Sequence, residues 1–278
     1  MTPGAPSPAR PNPETPSPET PTPATPRPAA TLILVRARDG GPEFDGVPEI
    51  LLLRRGAAAR FMPNAYVFAG GAVDPGDAGG EAYGLCAPFG DRQASDRLEL
   101  PANGLKFFVA AIREAFEECG LLLAYDAAGQ IIDLTGWDAA RLHGVRAQLS
   151  AGQSTLADLC ELNGWRPAVG ELAYFAHWIT PVNSKIRFDT RFFIAHAPVR
   201  QRATLASEEM SDLVWRTAAE ALAEYSRGEL LLRQATRSIL AEIARFDRLD
   251  ALFAFAHTPR KIPTVMPGPT TADQPPAG

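Results

Sequence analysis

The stretch Arg113-Glu114-Ala115-Phe116-Glu117-Glu118-Cys119-Gly120-Leu121 decides how this chain is read. Glu114, Glu117 and Glu118 stand at i, i+3 and i+4, which places them on one face of a helix within about one turn. Phe108, Ile112, Ala115, Cys119 and Leu122 recur at helical period and mark the face that meets the core. Clustered carboxylates repel one another, so a helix gains from them only when a cation lies between them. Hard oxygen donors on a rigid element suit Mg²⁺ or Mn²⁺. The same pattern also describes a solvated acidic face, and spacing alone does not choose between the two. The helix is expected to run from Leu105 to Cys119 and to stop at Gly120, which tolerates left-handed backbone.

What lies upstream tips the choice. Phe68-Ala69-Gly70-Gly71 follows an apolar run, and Asp77 comes six residues after Gly71. Together these residues resemble the Nudix box, G-x5-E-x7-R-E-U-x-E-E-x-G-U, with U aliphatic. Arg113, Glu114, Glu117, Glu118, Gly120 and Leu121 fall in place, with Ala115 at the aliphatic position. Asp77 stands where the family has Glu, and residues 78 to 112 replace the x7 spacer. An insertion at this point is a feature of the branch that holds the peroxisomal coenzyme A diphosphatases and their bacterial relatives. The segment Leu51 to Gly71 is similar to the coenzyme A signature LLTxRSx3Rx3Gx3FPGG. Arg55, Arg60, Phe68, Gly70 and Gly71 fit it, while Leu53, Gly56, Asn64 and Ala69 replace Thr, Ser, Gly and Pro. Asn is the non-glycine residue that best tolerates left-handed backbone, so Asn64 can keep the shape of the loop. His177 to Pro181, Arg187 to Phe193 and Glu209 to Trp215 are also similar to segments of that branch.

The resemblance spans about residues 30 to 257 and implies a Nudix-type α/β/α sandwich with a mixed sheet, a helical insertion and C-terminal helices. The pattern of segments agrees. Ala30 to Ala37 and Glu49 to Arg54 are β-rich and are expected to pair as a hairpin. Tyr66 to Phe68 forms a short strand entering the Gly70-Gly71 turn. Residues 78 to 104 are expected to form a long irregular insertion, and 135 to 166 a helical one with Ser154 capping its second helix. Leu172 to Ile179 and Arg187 to Ala195 are expected to be antiparallel strands, followed by a strand at Leu213 to Arg216. Helices are expected at Ala218 to Arg227 and Gln234 to Arg245, the second extended by Leu249 to Phe255. Strands mixed with helices, without a regular βαβ repeat, give an α+β architecture.

The ends differ from the middle. Residues 1 to 30 repeat Pro with Thr, Ser, Glu and Ala, and are expected to be a disordered or polyproline-like tail; residues 258 to 278 are expected to behave alike. One domain, residues 31 to 257, lies between them. The 278 residues are 46% hydrophobic and 21% charged, with a net charge of -5. That mild acidity argues against a nucleic-acid surface. No apolar leader and no run of roughly 18 to 20 apolar residues is present, so neither secretion nor membrane spanning is expected and the chain is assigned to the cytoplasm. Cys86, Cys119 and Cys160 are too scattered for a disulfide framework or a zinc pattern. A homo-oligomer is compatible with the sequence, which leaves the assembly open.

The chemistry follows from these residues. Hydrolysis of a diphosphate needs its negative oxygens neutralised, a water activated and the leaving phosphate stabilised, which a bound Mg²⁺ or Mn²⁺ can supply. Gly70 and Gly71 let backbone come close to such an ion, and the Gly71 carbonyl can serve as a ligand. By resemblance, Glu117 and Glu118 are the principal ligands and Glu114 is a ligand or orients water. Arg113, four residues before Glu117, holds that carboxylate or contacts phosphate. Asp77, one methylene shorter than the family Glu, reaches the ion through water. The base lies in the box or in a later loop, where Glu208 and Glu209 precede a strand. Arg55, Arg60, Arg187 and Arg191 are candidate phosphate contacts. Arg187, Asp189 and Arg191 share one face of a strand, so a polar outer face accounts for them equally well. The implied activity is hydrolysis of coenzyme A or acyl-coenzyme A to 3′,5′-ADP and 4′-phosphopantetheine. The alternatives are another nucleoside diphosphate derivative, such as ADP-ribose or a dinucleotide, or a Nudix-like sensor that binds nucleotide without turnover.

Overall fold

Thr31-Leu32-Ile33-Leu34-Val35 is apolar at nearly every position, so a strand built from it needs cover on both faces. Both faces are covered. Leu32 and Leu34 enter one core, whereas Ile33 and Val35 enter another on the opposite side of the sheet. The same alternation repeats next door, with Leu51 and Leu53 on the first side and Ile50 and Leu52 on the second. A computed structural model describes residues 24–38, 46–59, 62–205 and 209–268.

In chain order the elements begin with β1 (Arg27–Ala37), β2 (Pro48–Arg55), β3 (Tyr66–Val67) and β4 (Ala69–Ala72). A 3-10 turn at Pro75–Asp77 leads into α1 (Gly80–Leu85), α2 (Asp91–Arg97) and α3 (Leu105–Cys119). Next come β5 (Ala124–Tyr125), α4 (Ala139–Ser150), α5 (Leu156–Asn163) and β6 (Arg166–Pro167). The chain continues through β7 (Ala173–Ile179), β8 (Phe188–His196), β9 (Met210–Thr217), α6 (Ala218–Ser226), α7 (Gln234–Ile243), α8 (Leu249–His257) and β10 (Thr264–Val265).

The main sheet runs β10-β7-β8-β1-β2-β3, with β4 also on β1 and β9 also on β2. It is mixed: β8 lies parallel to β1 and β10 parallel to β7, and the remaining pairs are antiparallel. One irregularity creates the site. Val67 pairs with Leu53 of β2, but from Ala69 onward the chain has crossed to β1, where Gly70 faces Thr31 and Gly71 faces Ala30. The Gly-Gly segment therefore lies where the sheet splits. Helix α3 packs beneath this point on the first face, and α6 to α8 cover the second. The α/β/α sandwich expected from the sequence is the architecture found.

Local departures have physical causes. Strand pairing starts at Arg27, ahead of the expected boundary at residue 31, because β8 extends to Phe188 and pairs with it. Pro28 fits there since only its carbonyl is used, accepting from the Val73 amide at 3.0 Å. Thr264 and Val265 pair with His177 and Trp178, so residues 258–268 are not a free tail. The tail readings for residues 1–23 and 269–278 lie outside the described residues. The insertion after Asp77 is helical rather than irregular: α2 buries Ala94, with Leu98 at its C-cap also in the core, and Asp91 Oδ1 accepts the Leu105 amide at 3.0 Å. The cap of α5 is Thr155, not Ser154, because the Thr155 hydroxyl accepts the Asp158 amide at 3.1 Å and Asp158 accepts the Thr155 amide at 2.7 Å. Leu249–His257 is a helix of its own rather than an extension of α7, which ends at Ile243.

Candidate active site

Helix α3 forms as the spacing predicts, with Gly120 left-handed at φ 73° after Cys119. Arg113 is the hub of its acidic face and is buried. Its Nε and Nη2 donate to the two oxygens of Asp77 at 2.8 and 2.9 Å, and Nη2 also donates to the Ala72 carbonyl at 2.9 Å. Its Nη1 donates to Glu114 Oε1 and to Glu117 Oε1, both at 3.0 Å. Burial works against the Arg113 charge, but the hydrogen bonds to Asp77 and the charges of Glu114 and Asp77 outweigh it, so its pKa is raised. Asp77 is therefore not arranged as a water-bridged metal contact. At 1% exposure it is the bidentate anchor of Arg113, and its shorter side chain suffices because the 3-10 turn brings it close.

Glu118, and Glu114 alongside its contact with Arg113, line a cavity of about 670 Å³. Glu118 Oε2 accepts the Gly70 amide at 2.9 Å. Burial, then the charge of Glu114, pushes the Glu118 carboxyl well above the usual range, and Glu209 adds to the push. Burial also lifts Glu114 to about 7, with Arg113 opposing and Glu117 reinforcing. Two carboxyls held against ionisation by desolvation and mutual repulsion are what a cation would relieve. Gly71 completes the cradle: a Cβ there would sit 2.6 Å from Glu114 Oε1, so only glycine lets the strand lie against that carboxylate. These donors fit a hard divalent ion. Glu117 stands aside from them. Arg113 holds its Oε1, and the Ser150 hydroxyl donates to its Oε2 at 3.1 Å. Accordingly, no three acidic, histidine or cysteine side chains converge on one point among the described residues.

The cavity walls sort the remaining sequence expectations. Arg55, Glu209, Gly70 and Gly71 line it. The Nε of Arg55 is buried with no hydrogen-bond partner among the described residues. Its loop is held by Asn64, whose φ of 60° is the left-handed geometry anticipated for it, and by Asn64 N donating to the Arg55 carbonyl at 3.1 Å. Arg60 and Glu208 lie outside the described residues. Arg187 and Arg191 do not line this cavity. Arg187 donates to the Thr180 and Ala24 carbonyls at 3.0 and 2.7 Å, and Arg191 pairs with Asp189 at 2.8 Å over the Phe107 ring. The opposite face of β8 faces the cavity through Phe188, Thr190 and Phe192. Alternation separated the two faces correctly, but not which one met the ligand side.

Sequence reasoning missed Arg146. It lies on α4 in the row of Leu142 and Leu149, an apolar stripe, and a charge on such a stripe was the available signal. It is 2% exposed and reaches the end of α3.

A mixed sheet between helical layers, with a Gly-Gly strand laid against an acidic helix, is the arrangement of Nudix proteins. The NUDT19 Nudix domain family matches residues 85–237. Acyl-coenzyme A diphosphatase NUDT19 of Xenopus laevis is 27% identical over 237 residues, covering 74% of this chain and 62% of that protein. Its Gallus gallus counterpart is 29% identical over 242 residues, covering 75% and 64%. The chain thus spans less than two thirds of the length of these relatives. The crystal structure of a Nudix hydrolase from Alicyclobacillus acidocaldarius matches with a TM-score of 0.67 at 26% identity, over 83% of this chain and 96% of that one. The chain belongs to the Nudix hydrolase family, in the branch of the NUDT19 Nudix domain. No described helix is long and apolar enough to cross a membrane.

Proposed function

We propose that this chain hydrolyses the diphosphate of coenzyme A or an acyl-coenzyme A, releasing 3′,5′-ADP and a 4′-phosphopantetheine. The observation that carries the reading is the pairing, in one cavity, of two ionisation-resistant carboxyls with an arginine whose Nε awaits a partner. Glu114, Glu118 and the Gly71 carbonyl would hold a Mg²⁺ or Mn²⁺ ion, and Glu117, at the rim beside Glu114, would add its carboxylate through a bound water. When bound, that ion neutralises phosphate oxygens and lowers the pKa of a water. Arg55 contacts a phosphate of the substrate, for which its planar fork is suited. Glu209, on the cavity wall and outside the acidic helix, takes the proton as water attacks phosphorus. The bond from that phosphorus to the bridging oxygen breaks, and each product keeps one phosphate of the diphosphate, with the 3′-phosphate remaining on the adenosine product.

Two further facts support coenzyme A. The relatives bear the name acyl-coenzyme A diphosphatase. Part of the cavity lining is apolar, with Phe68, Trp178, Ile179, Phe188 and Phe192, which suits a pantetheine or acyl arm. The test is a panel of coenzyme A, dephospho-coenzyme A, ADP-ribose and a dinucleotide, with products resolved by mass. Coenzyme A should be cut fastest. Equal rates on coenzyme A and dephospho-coenzyme A would replace the assignment by a broader diphosphatase, and no product from any of the four would overturn hydrolysis.

A further inference from the structure

Helix α3 ends under its functional carboxylates. Its last carbonyls have no partner within the helix, and the last turn frays unless something outside accepts the task. Three contacts do so. Arg146 Nε and Nη2 donate to the Glu117 carbonyl at 3.1 and 2.9 Å, and the Thr204 amide donates to the Cys119 carbonyl at 2.9 Å. Arg146 Nη1 donates to the Thr204 hydroxyl at 3.1 Å, which ties the two supports together. The Ser150 hydroxyl, one turn along α4, donates to Glu117 Oε2 at 3.1 Å.

The arrangement is specific. Among the described residues Arg146 has no carboxylate partner, although it is 2% exposed. Burying an arginine on a carbonyl and a hydroxyl is costly where a methionine would fill similar space. Gly120 is matched to it: a Cβ there would meet Arg146 Nη1 at 3.0 Å, on a backbone already left-handed at φ 73°. The guanidinium thus presents its Nε–Nη2 edge to the end of the helix, where its positive charge complements the negative end of the helix dipole.

We propose that Arg146 and Ser150 are positioning residues for the metal-holding turn, and that the helical segment after α3 serves to fix Glu117 and Glu118. Arg146 acts through the backbone of Glu117 and Ser150 through its carboxylate. The inference rests on the proposed metal role of the acidic helix. It ascribes to α4 a task in ion affinity rather than in substrate contact.

The test is Mn²⁺ binding to the full chain, followed by electron paramagnetic resonance and well below each variant's melting temperature, for wild type, Arg146→Met, Arg146→Lys and Ser150→Ala. Losing a partner that orients a ligand typically weakens metal affinity about ten- to a hundred-fold. Arg146→Met should show that loss, and Arg146→Lys a smaller one, because its ammonium still donates to one partner although it cannot span both the carbonyl and Thr204. Ser150→Ala, an exposed contact that should fold normally, should weaken binding by roughly two- to tenfold. Saturating Mn²⁺ should restore most of kcat in each case, with KM for the diphosphate unmoved. Wild-type affinity in folded Ser150→Ala and Arg146→Lys, with only the melting temperature lowered, would overturn the positioning role alone. A wild-type protein that takes up no Mn²⁺ would overturn the metal reading beneath it.

Discussion

Replacing Gly71 by alanine separates the catalytic use of the Gly-Gly strand from its structural use. A Cβ at Gly71 would lie 2.6 Å from Glu114 Oε1 and 2.7 Å from Oε2, against ordinary contact at 3.4–4 Å. The obstacle is the end of a flexible side chain, so Glu114 yields by roughly 1 Å and the strand is preserved. A misplacement of about 1 Å at a reacting centre can cost on the order of 10²-fold in rate. Gly71→Ala should thus lower kcat/KM about a hundredfold, while the melting temperature moves by less than about 2 °C, the equivalent of roughly 0.5 kcal/mol or less. Gly70→Ala is the contrast. Its Cβ would meet the Ala30 carbonyl and Thr31 Cα at 2.6 Å, both of them backbone of β1. Overpacking of that kind costs about 1–3 kcal/mol, or roughly 2–12 °C in a domain of this size. Parallel thermal melts and steady-state assays decide. Wild-type kcat/KM in Gly71→Ala, or a loss that only follows unfolding, would refute the argument that Glu114 works from this cradle.

Arg113→Met leaves Asp77 charged and buried without its partner, so stability should fall by about 3–5 kcal/mol in urea unfolding; a change under about 1 kcal/mol would contradict the clasp. Arg55→Met should lower kcat/KM for coenzyme A about ten- to a hundred-fold, the weight of one charge-assisted contact, with stability unchanged. Glu114 makes stability depend on pH in metal-free protein. Its folded pKa, near 7, is above the ordinary value of 4.5, so the folded state pays for an ionised carboxyl above pH 7. Protonation relieves that cost between about 7 and 4.5, and below 4.5 the unfolded chain is protonated too, so no further gain accrues. In the presence of EDTA, the melting temperature of wild type relative to Glu114→Gln should therefore rise as pH falls from 8 to 5, and Mg²⁺ should stabilise wild type more at pH 8 than at pH 5. A flat difference across that range would rule out the buried carboxyl as the cause.

Much of the fold was legible because periodicity is local. The β-rich runs at Ala30 to Ala37 and Glu49 to Arg54 announced an antiparallel pair, and the stripe from Phe108 to Leu122 announced α3 with its stop at Gly120. Asn64 was legible as a left-handed position because few other residues take that geometry. What escaped depended on partners distant in sequence. Arg27 is in a strand because Phe188 pairs with it, and Thr264 because His177 does. Helix α2 was hidden by a composition rich in polar residues, since Ala94 is its one residue in the apolar core, joined by Leu98 at its C-cap. At the site, the acidic cluster and the glycines were visible, but the division of labour was not. Arg113 draws Asp77 and Glu117 to one side while also holding Glu114 by one oxygen, and only Glu114 and Glu118 of the three glutamates line the cavity, a sorting set by the 3-10 turn and by Ser150. The strand β8 shows the same limit: its two faces were separable, yet Arg191 belongs to Asp189 and Phe107, while Thr190 and Phe192 meet the cavity.

The most direct test compares Glu118→Gln with wild type on coenzyme A at saturating Mg²⁺, with products identified by mass. The substitution keeps size and helix propensity, removes one charge from a buried repelling pair and should leave the melting temperature equal or higher. Wild type should release 3′,5′-ADP and 4′-phosphopantetheine, and Glu118→Gln should do so slower by a factor on the order of 10² or more. Equal turnover by the two proteins would contradict a metal-dependent diphosphate hydrolase built on this helix.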